Sequence, residues 1–289
     1  MKLGIILPSR NRPAGLKRMV ASLLDNAAKP DRVTIYAGLD ADDPTLPETE
    51  GIANVERVIR APETTVAKMI DNLSLQAEQA CDATLRMDDD FICETRGWDD
   101  NAECMTGLGL WRLDDPTHGA HFMSFACMSS EMAGWLRQAQ GFVHAPWFPF
   151  WFTDTWLNEI GDMAGMKGPL DIRVTQPEGR GVTHGLRDIK FWAQFFDGFR
   201  LSRAMVAKAL ICDGYPDGVL KLSALMKLQD RMRECELNTA KLKTPEFIEA
   251  FEKKAEGATG TASERYLKAK AEAEAMIRNA HAKQQEQAA

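Results

Sequence analysis

The sequence lacks a long apolar run. No stretch of its 289 residues approaches the ~20 apolar residues a membrane-spanning helix needs, so no span is expected. The opening apolar run, Leu3 to Leu7, is too short for the core of a secretory signal and no small-residue cleavage site follows it. A cytoplasmic protein is the expectation. Paired cysteines are also missing. The six cysteines (81, 93, 104, 127, 212 and 235) include no Cys-x-x-Cys, which excludes the usual zinc spacings and argues against a disulfide framework. Positive charge is not in excess: 35 Lys and Arg face 42 Asp and Glu, a net charge of −7, so there is no broad basic footprint for nucleic acid. A local basic groove is the most that DNA would find. Internal repeats are absent. What remains, 45% hydrophobic and 27% charged residues, is the composition of an ordinary soluble globular protein.

Carboxylates are concentrated in one place. Asp88-Asp89-Asp90 stands between apolar residues, in Leu85-Arg86-Met87-Asp88-Asp89-Asp90-Phe91-Ile92. Three adjacent negative charges repel, so the arrangement calls for a counter-charge. Hard divalent cations prefer oxygen ligands, and Mg²⁺ binds through one or two carboxylates plus substrate phosphates. At a strand end, alternation would point Asp88 and Asp90 one way and Asp89 the other. Read as metal ligands, Asp88 and Asp90 would clamp a cation against a diphosphate. Read blandly, the triplet is a solvated acidic turn.

The chain around it reads as strands and helices in alternation. Lys2 to Leu7 is a strand stopped by Pro8. The loop Ser9-Arg10-Asn11-Arg12 leads to Pro13, suited to a first helical turn, and Leu16, Met19, Val20, Leu23 and Leu24 recur at helical spacing. Strand, polar loop and helix open a βαβ unit, and Ser9, Arg10 and Arg12 suit a phosphate or nucleotide. Val33 to Leu39 is a second strand, delivering Asp40-Ala41-Asp42-Asp43 at its carboxyl end, where open α/β sheets bind ligands. Val55 to Ile59 is a third strand. A helix from Pro62 to about Ala80 carries Lys68 and Asn72 on one face. Thr84 to Met87 is a fourth strand ending in the Asp triplet.

Further strands are expected at His121–Met128 and Val174–Glu178, and a helix capped at Ser129 follows the first of these. Between them runs the most aromatic stretch, Pro146 to Trp156, which is either core or a stacking platform for a sugar or base. Asp154 lies within it, before a helical segment, where burial would raise its pKa and the helix dipole would lower it. It is the candidate general base. His184, in a Gly-rich loop with Arg180 and Arg187, is the candidate third metal ligand. From Pro216 onward amphipathic helices take over, and the Ala-, Glu-, Lys- and Gln-rich tail is too polar for core. That tail is expected either to dock on a partner copy or to fray. The expected organisation is residues 1–215 as one α/β domain, with halves at about 1–100 and 101–215, and residues 216–289 as a C-terminal helical extension.

Pro8-Ser9-Arg10-Asn11-Arg12-Pro13 after an apolar strand, with a second strand ending in Asp40, resembles the opening of a GT-A glycosyltransferase of the family 2 type. The Asp triplet followed by Gly97-Trp98-Asp99 resembles that family's Asp-x-Asp metal motif and its downstream Gly-Trp-Asp. The likeness spans roughly residues 1–200. It implies a Rossmann-like mixed sheet flanked by helices, a nucleotide-sugar donor (usually a UDP-sugar), and Mn²⁺ or Mg²⁺. By the resemblance Pro8, Arg10, Asp40 and Lys68 fall in the nucleotide pocket, with Ser9, Arg12 and Asp89 grouped alongside them. Asp88 and Asp90 fall on the ribose and metal side. Family 2 enzymes invert the sugar, with a carboxylate as base. Two departures stand out: Thr153, not an acid, precedes Asp154, which keeps Glu159 as the reserve base. Asp40-Ala41-Asp42-Asp43 replaces the commoner Asp-Asp-Gly-Ser, leaving open whether Asp40 or Asp42 touches the base.

The expected activity is therefore inverting, metal-dependent sugar transfer to a hydroxyl acceptor. A glycan is one such acceptor; a hydroxymethylated base in phage DNA is another, with the aromatic stretch holding the flipped base. Two rivals stand beside it: a nucleotidyltransferase of similar fold, and a non-catalytic nucleotide-sugar-binding scaffold.

Overall fold

The computed structural model describes residues 1–61, 65–119, 121–149, 152–177, 188–255 and 264–288. Its strands are β1 (Leu3–Ser9), β2 (Val33–Asp40), β3 (Val55–Arg60), β4 (Ala83–Arg86), β5 (Ile92–Cys93), β6 (Leu110–Asp114), β7 (Ala126–Ser129) and β8 (Lys167–Thr175). The helices are α1 (Pro13–Asn26), α2 (Val66–Ala80), α3 (Trp98–Asn101), α4 (Ser130–Gln140), α5 (Thr153–Ala164), α6 (Ile189–Gly198), α7 (Arg200–Gly214), α8 (Gly218–Lys241), α9 (Pro245–Ala255) and α10 (Glu264–Ala288). The strands form one mixed sheet in the order β3-β2-β1-β4-β7-β6-β8-β5. β3, β2, β1 and β4 run parallel, and β7 pairs antiparallel with β4.

Strand alternation explains the layering. On β1, Leu3, Ile5 and Leu7 pack against Leu16, Met19, Val20 and Leu23 of α1. Ile6 faces the other way, onto Met69, Ile70 and Leu73 of α2. Helices therefore cover both faces of the parallel strands, and all four strands end at one edge. A separate core holds the second half of the chain, with Phe148, Trp156, Trp192 and Phe196 at its centre. Asp71 of α2 joins the halves, its carboxylate accepting from the backbone N–H of Val143 (2.8 Å) and His144 (3.0 Å).

Several expectations need correction. The second helix starts at Val66, because the Thr65 hydroxyl accepts from Lys68 N–H and caps it there. The strand expected at His121–Met128 shrinks to Ala126–Ser129. Ser124 is bent out of the ladder, its hydroxyl donating to Asp115 (2.6 Å) while its carbonyl accepts from Arg86 (2.7 Å). The late strand lies at Lys167–Thr175, not 174–178. The aromatic stretch is core where it is described: Phe148, Phe152 and Trp156 are buried. The tail does not stay clear of the core either. Tyr266, Ala269 and Ala273 of α10 are buried, and the Tyr266 hydroxyl accepts from Asp188 N–H (2.9 Å) at the start of α6.

Candidate functional site

The carboxyl edge of β1, β2 and β4 gathers the predicted polar loops. Ser9 ends β1, Asp40 ends β2, and Met87 extends β4 by donating its N–H to the Ile6 carbonyl (2.9 Å). The Asp triplet follows at once. Arg10 reaches across the edge. Its guanidinium donates to Asp40 (2.7 Å) and makes two bonds to Asp42 (2.6 and 3.1 Å), and these acids, Asp42 foremost, hold the arginine firmly protonated. Both candidate base-binding acids are thus tied to one arginine. Asp43 completes the stitching: it accepts from Asn11 N–H (2.8 Å) and from the N–H and hydroxyl of Thr45. Burial disfavours its charge, but those bonds outweigh burial and keep it ionised below the usual range. Asn11 sits at φ 56°, a left-handed conformation that asparagine tolerates, and so turns the loop toward α1.

The three triplet acids part ways. Beyond the end of β4 the backbone turns, so strand alternation no longer governs them. Asp89 is buried and accepts from the Ser9 hydroxyl (2.7 Å). Arg12 bridges Asp89 and Asp90 at 3.2 Å each, and Gln176 donates to Asp90 (2.7 Å). Burial, with the charges of Asp88 and Asp90, pushes Asp89 up to about 6 against the pull of Ser9 and Arg12. Asp88 faces elsewhere. It receives Arg86 at 3.2 Å, yet its side chain is still 36% exposed. Its carboxyl is raised above the usual range, first by its surroundings and then by the charges of Asp90 and Asp154, with Arg86 and His118 opposing. Gly15 makes this fit: a Cβ there would stand 2.6 Å from the Asp89 carbonyl oxygen.

Asp154 comes from the second half of the chain, in the first turn of α5, and its charge bears on Asp88. Half-buried, it accepts from Thr155 N–H (2.7 Å). The turn delivering it is strained. Phe152, at φ 72°, occupies a left-handed conformation that a bulky residue rarely adopts, and its ring is pinned on Phe196, centroids 4.9 Å apart. Glu159 is not at this edge. It is buried, accepting from Arg203 (2.7 Å) and the Thr239 hydroxyl (2.9 Å) as an internal ion pair. Lys68 lies exposed in the first turn of α2, on the same edge. His184, Arg180 and Arg187 lie outside the described residues.

Two features were not anticipated. His118 lies beside the triplet: its Nδ1 is 2.7 Å from Asp115, and its ring packs over Phe91. Asp115 is buried; against the cost of burial, bonds from His118, Ser124 and Thr117 N–H keep it ionised below the usual range. The signal was in the sequence, as an Asp two residues before an N–H it accepts from in a Pro-containing turn. The Gly-Trp-Asp motif, in turn, proves to be structural. Gly97 takes φ 68°, Trp98 is buried with its indole N–H on the Leu23 carbonyl (2.8 Å), and buried Asp99 accepts from Ala28 N–H, Lys29 N–H and Arg32. It fastens the end of α1.

Among the described residues no three ligating side chains converge on one point. Asp88, partly exposed and paired only at 3.2 Å with Arg86, with Asp90 nearby, fits a hard cation that takes its remaining oxygens from a diphosphate and water.

No family model matches the sequence, and no curated protein matches it either. Solved structures do match. S. aureus TarS, residues 1–349, superposes with a TM-score of 0.54 at 10% identity, covering 97% of this chain and 92% of that one. The same protein in complex with UDP-GlcNAc gives 0.53 at 10% identity over 80% of this chain and 72% of the other. In complex with UDP it gives 0.52 at 9% identity, over 80% and 71%. At such identity the likeness is one of fold. The chain has the GT-A fold, a mixed sheet flanked by helices with further helices at its C-terminus.

Proposed function

We propose that this protein is a glycosyltransferase that moves a sugar from a nucleotide-sugar to a hydroxyl acceptor. The observation that carries the reading is that Asp88, partly exposed just past a strand end, and Asp154, in the first turn of α5, lie near enough for the charge of Asp154 to raise the Asp88 carboxyl. UDP-GlcNAc and UDP complexes of a protein of this fold support a UDP-sugar as donor. In this reading Pro8, Ser9, Arg10, Arg12, Asp40 and Lys68 line the nucleotide, with Asp89 holding Ser9 and Arg12 in place. Asp88 and Asp90, joined by His184, would hold Mn²⁺ or Mg²⁺. A divalent ion there supplies neutralisation of the leaving diphosphate. Asp154 takes the proton from the acceptor hydroxyl, and attack from that side inverts the anomeric centre. His118 stands by the diphosphate side of Asp88. Residues 1–100 serve the donor and 101–215 the acceptor.

A glycan hydroxyl is the acceptor the acidic surface favours. Among the described residues no helix is long and apolar enough to cross a membrane. The test is nucleotide release, a nucleoside diphosphate from UDP-, GDP- and TDP-sugars and CMP from CMP-sugars, with and without Mn²⁺. Metal-dependent release from one donor is expected, lost in Asp88→Ala. Pyrophosphate release would instead identify a nucleotidyltransferase, and donor binding without turnover a scaffold. Product formation on hydroxymethylated DNA with a steep salt dependence would move the acceptor to nucleic acid.

A further inference from the structure

α8 is amphipathic in an unusual sense: both of its faces carry apolar side chains. Ala224, Cys235 and Thr239 are buried in the protein's own core, and Leu225, Leu228 and Met232 pack beside them. The opposite face runs Val219, Leu222, Met226, Asp230, Arg233 and Leu237, at steps of three and four residues, which is one stripe of a helix. The stripe points to solvent; Val219 is 76% exposed and Met226 74%. Near its C-terminal half, Arg200 of α7 pairs with Glu236, which brings the exposed Leu201 and Met205 to the same end. Large apolar side chains in a row do not stay in water without cause.

The order of residues along the stripe states what covers it. When two copies of this helix pack antiparallel about a twofold axis, each position pairs with one at a constant sum of residue numbers. Aligning Asp230 with Arg233 of the other copy aligns Met226 with its Leu237, and both pairings occur twice. Leu222 then meets the aliphatic stem of Lys241. Lys227 and Glu234, both exposed, flank the seam on one side and approach each other across it. Asp230 and Arg233 form no ion pair with each other or with any other described residue. The face is thus complementary to itself in charge and in apolar contact. We infer that this protein forms an isologous homodimer through the outward face of α8, flanked by Leu201 and Met205 of α7. The buried side chains of the tail helix α10, Tyr266, Ala269 and Ala273, belong to its own chain's core.

This inference is independent of the activity. Sedimentation velocity over a concentration series tests it on the full chain, with circular dichroism as a check on folding. Wild type is expected to sediment as a dimer. Asp230→Arg and Arg233→Asp each place like charges opposite one another twice, and each is expected to weaken dimerisation about tenfold or more. The double variant Asp230→Arg/Arg233→Asp restores both pairs and is expected to return to within about threefold of wild type. Met226→Asp is expected to be monomeric and folded. A wild-type monomer up to about 100 µM, near the weak limit of specific association, would overturn the inference. So would single variants that dimerise like wild type, or a double variant no better than either single. Recruitment of a monomeric wild type to anionic vesicles, lost in Met226→Asp, would assign the stripe to a lipid surface instead.

Discussion

Asp99 and Asp154 occupy the two ends of what one aspartate can do in this protein. Asp99 is fully buried and spends its charge on two backbone N–H groups and Arg32. Its bonds cap the end of α1 and hold the loop before β2. Asp99→Ala leaves those donors unsatisfied and removes a charge-assisted bond, at a cost of about 2–4 kcal/mol. Thermal unfolding is expected to shift down by roughly 4–10 °C with donor binding at saturation unchanged. Asp154 by contrast is half open, in the first turn of α5, with one oxygen on its own helix's N–H. Its substitution is expected to leave stability near wild type and to act on turnover. The difference in environment, not the residue type, separates the structural carboxylate from the one proposed as the base.

At the scale of elements, the strands and helices that carry period-two or helical patterns were legible. β1 with α1, the end of β2, and the Asp triplet after β4 could all be placed from alternation and from Pro13 at a helix start. Ser129 as a cap was equally readable. What escaped was set by contacts distant in sequence. That Glu159 is an internal ion pair depends on Arg203 and Thr239, 44 and 80 residues away. His118 is invisible as a site residue until the bend at Ser124 brings Asp115 and Arg86 together. The aromatic stretch read equally well as platform or core, since composition does not say which side of a ring is wet. The Glu159–Arg203 pair knots α5, α7 and α8. Arg203→Met strands a buried carboxylate and is expected to cost about 3–5 kcal/mol. Arg203→Met/Glu159→Leu removes both charges, and most of that loss is expected back; a urea-denaturation series on the two variants measures the difference.

The whole molecule is two half-cores fastened through α2, and one residue at that junction gives it a distinct acid-sensitive contribution. His144 is buried, its backbone N–H donating to Asp71, and burial together with Arg86 and Arg137 drives its imidazole down to about 3. A histidine with a depressed folded pKa contributes stability that is whole above its unfolded value, about 6.5, and is lost as pH falls toward the folded one. This one site is thus expected to lower the unfolding free energy by up to about 1.4 kcal/mol per pH unit between pH 6.5 and 3, against the opposite slope of Asp89, which takes up a proton in the folded state below about 6. In His144→Leu that share of the slope is expected to vanish; chemical denaturation at pH 7, 5.5 and 4.5 reads it.

The claim on which the functional account stands is that the Asp88 and Asp154 carboxylates face one another across a nucleotide-sugar. The most direct measurement is paired: calorimetric binding of UDP-GlcNAc with Mn²⁺, and UDP release from it, on wild type, Asp88→Asn and Asp154→Asn. If UDP-GlcNAc proves not to be the donor, the same pair is run with the one the panel selects. Asp88→Asn is expected to lose binding and release together. Asp154→Asn is expected to bind the donor within about threefold of wild type while transfer falls at least about 100-fold, the loss that removal of a general base brings. Undiminished turnover in Asp154→Asn would contradict the account, as would donor binding indifferent to Asp88.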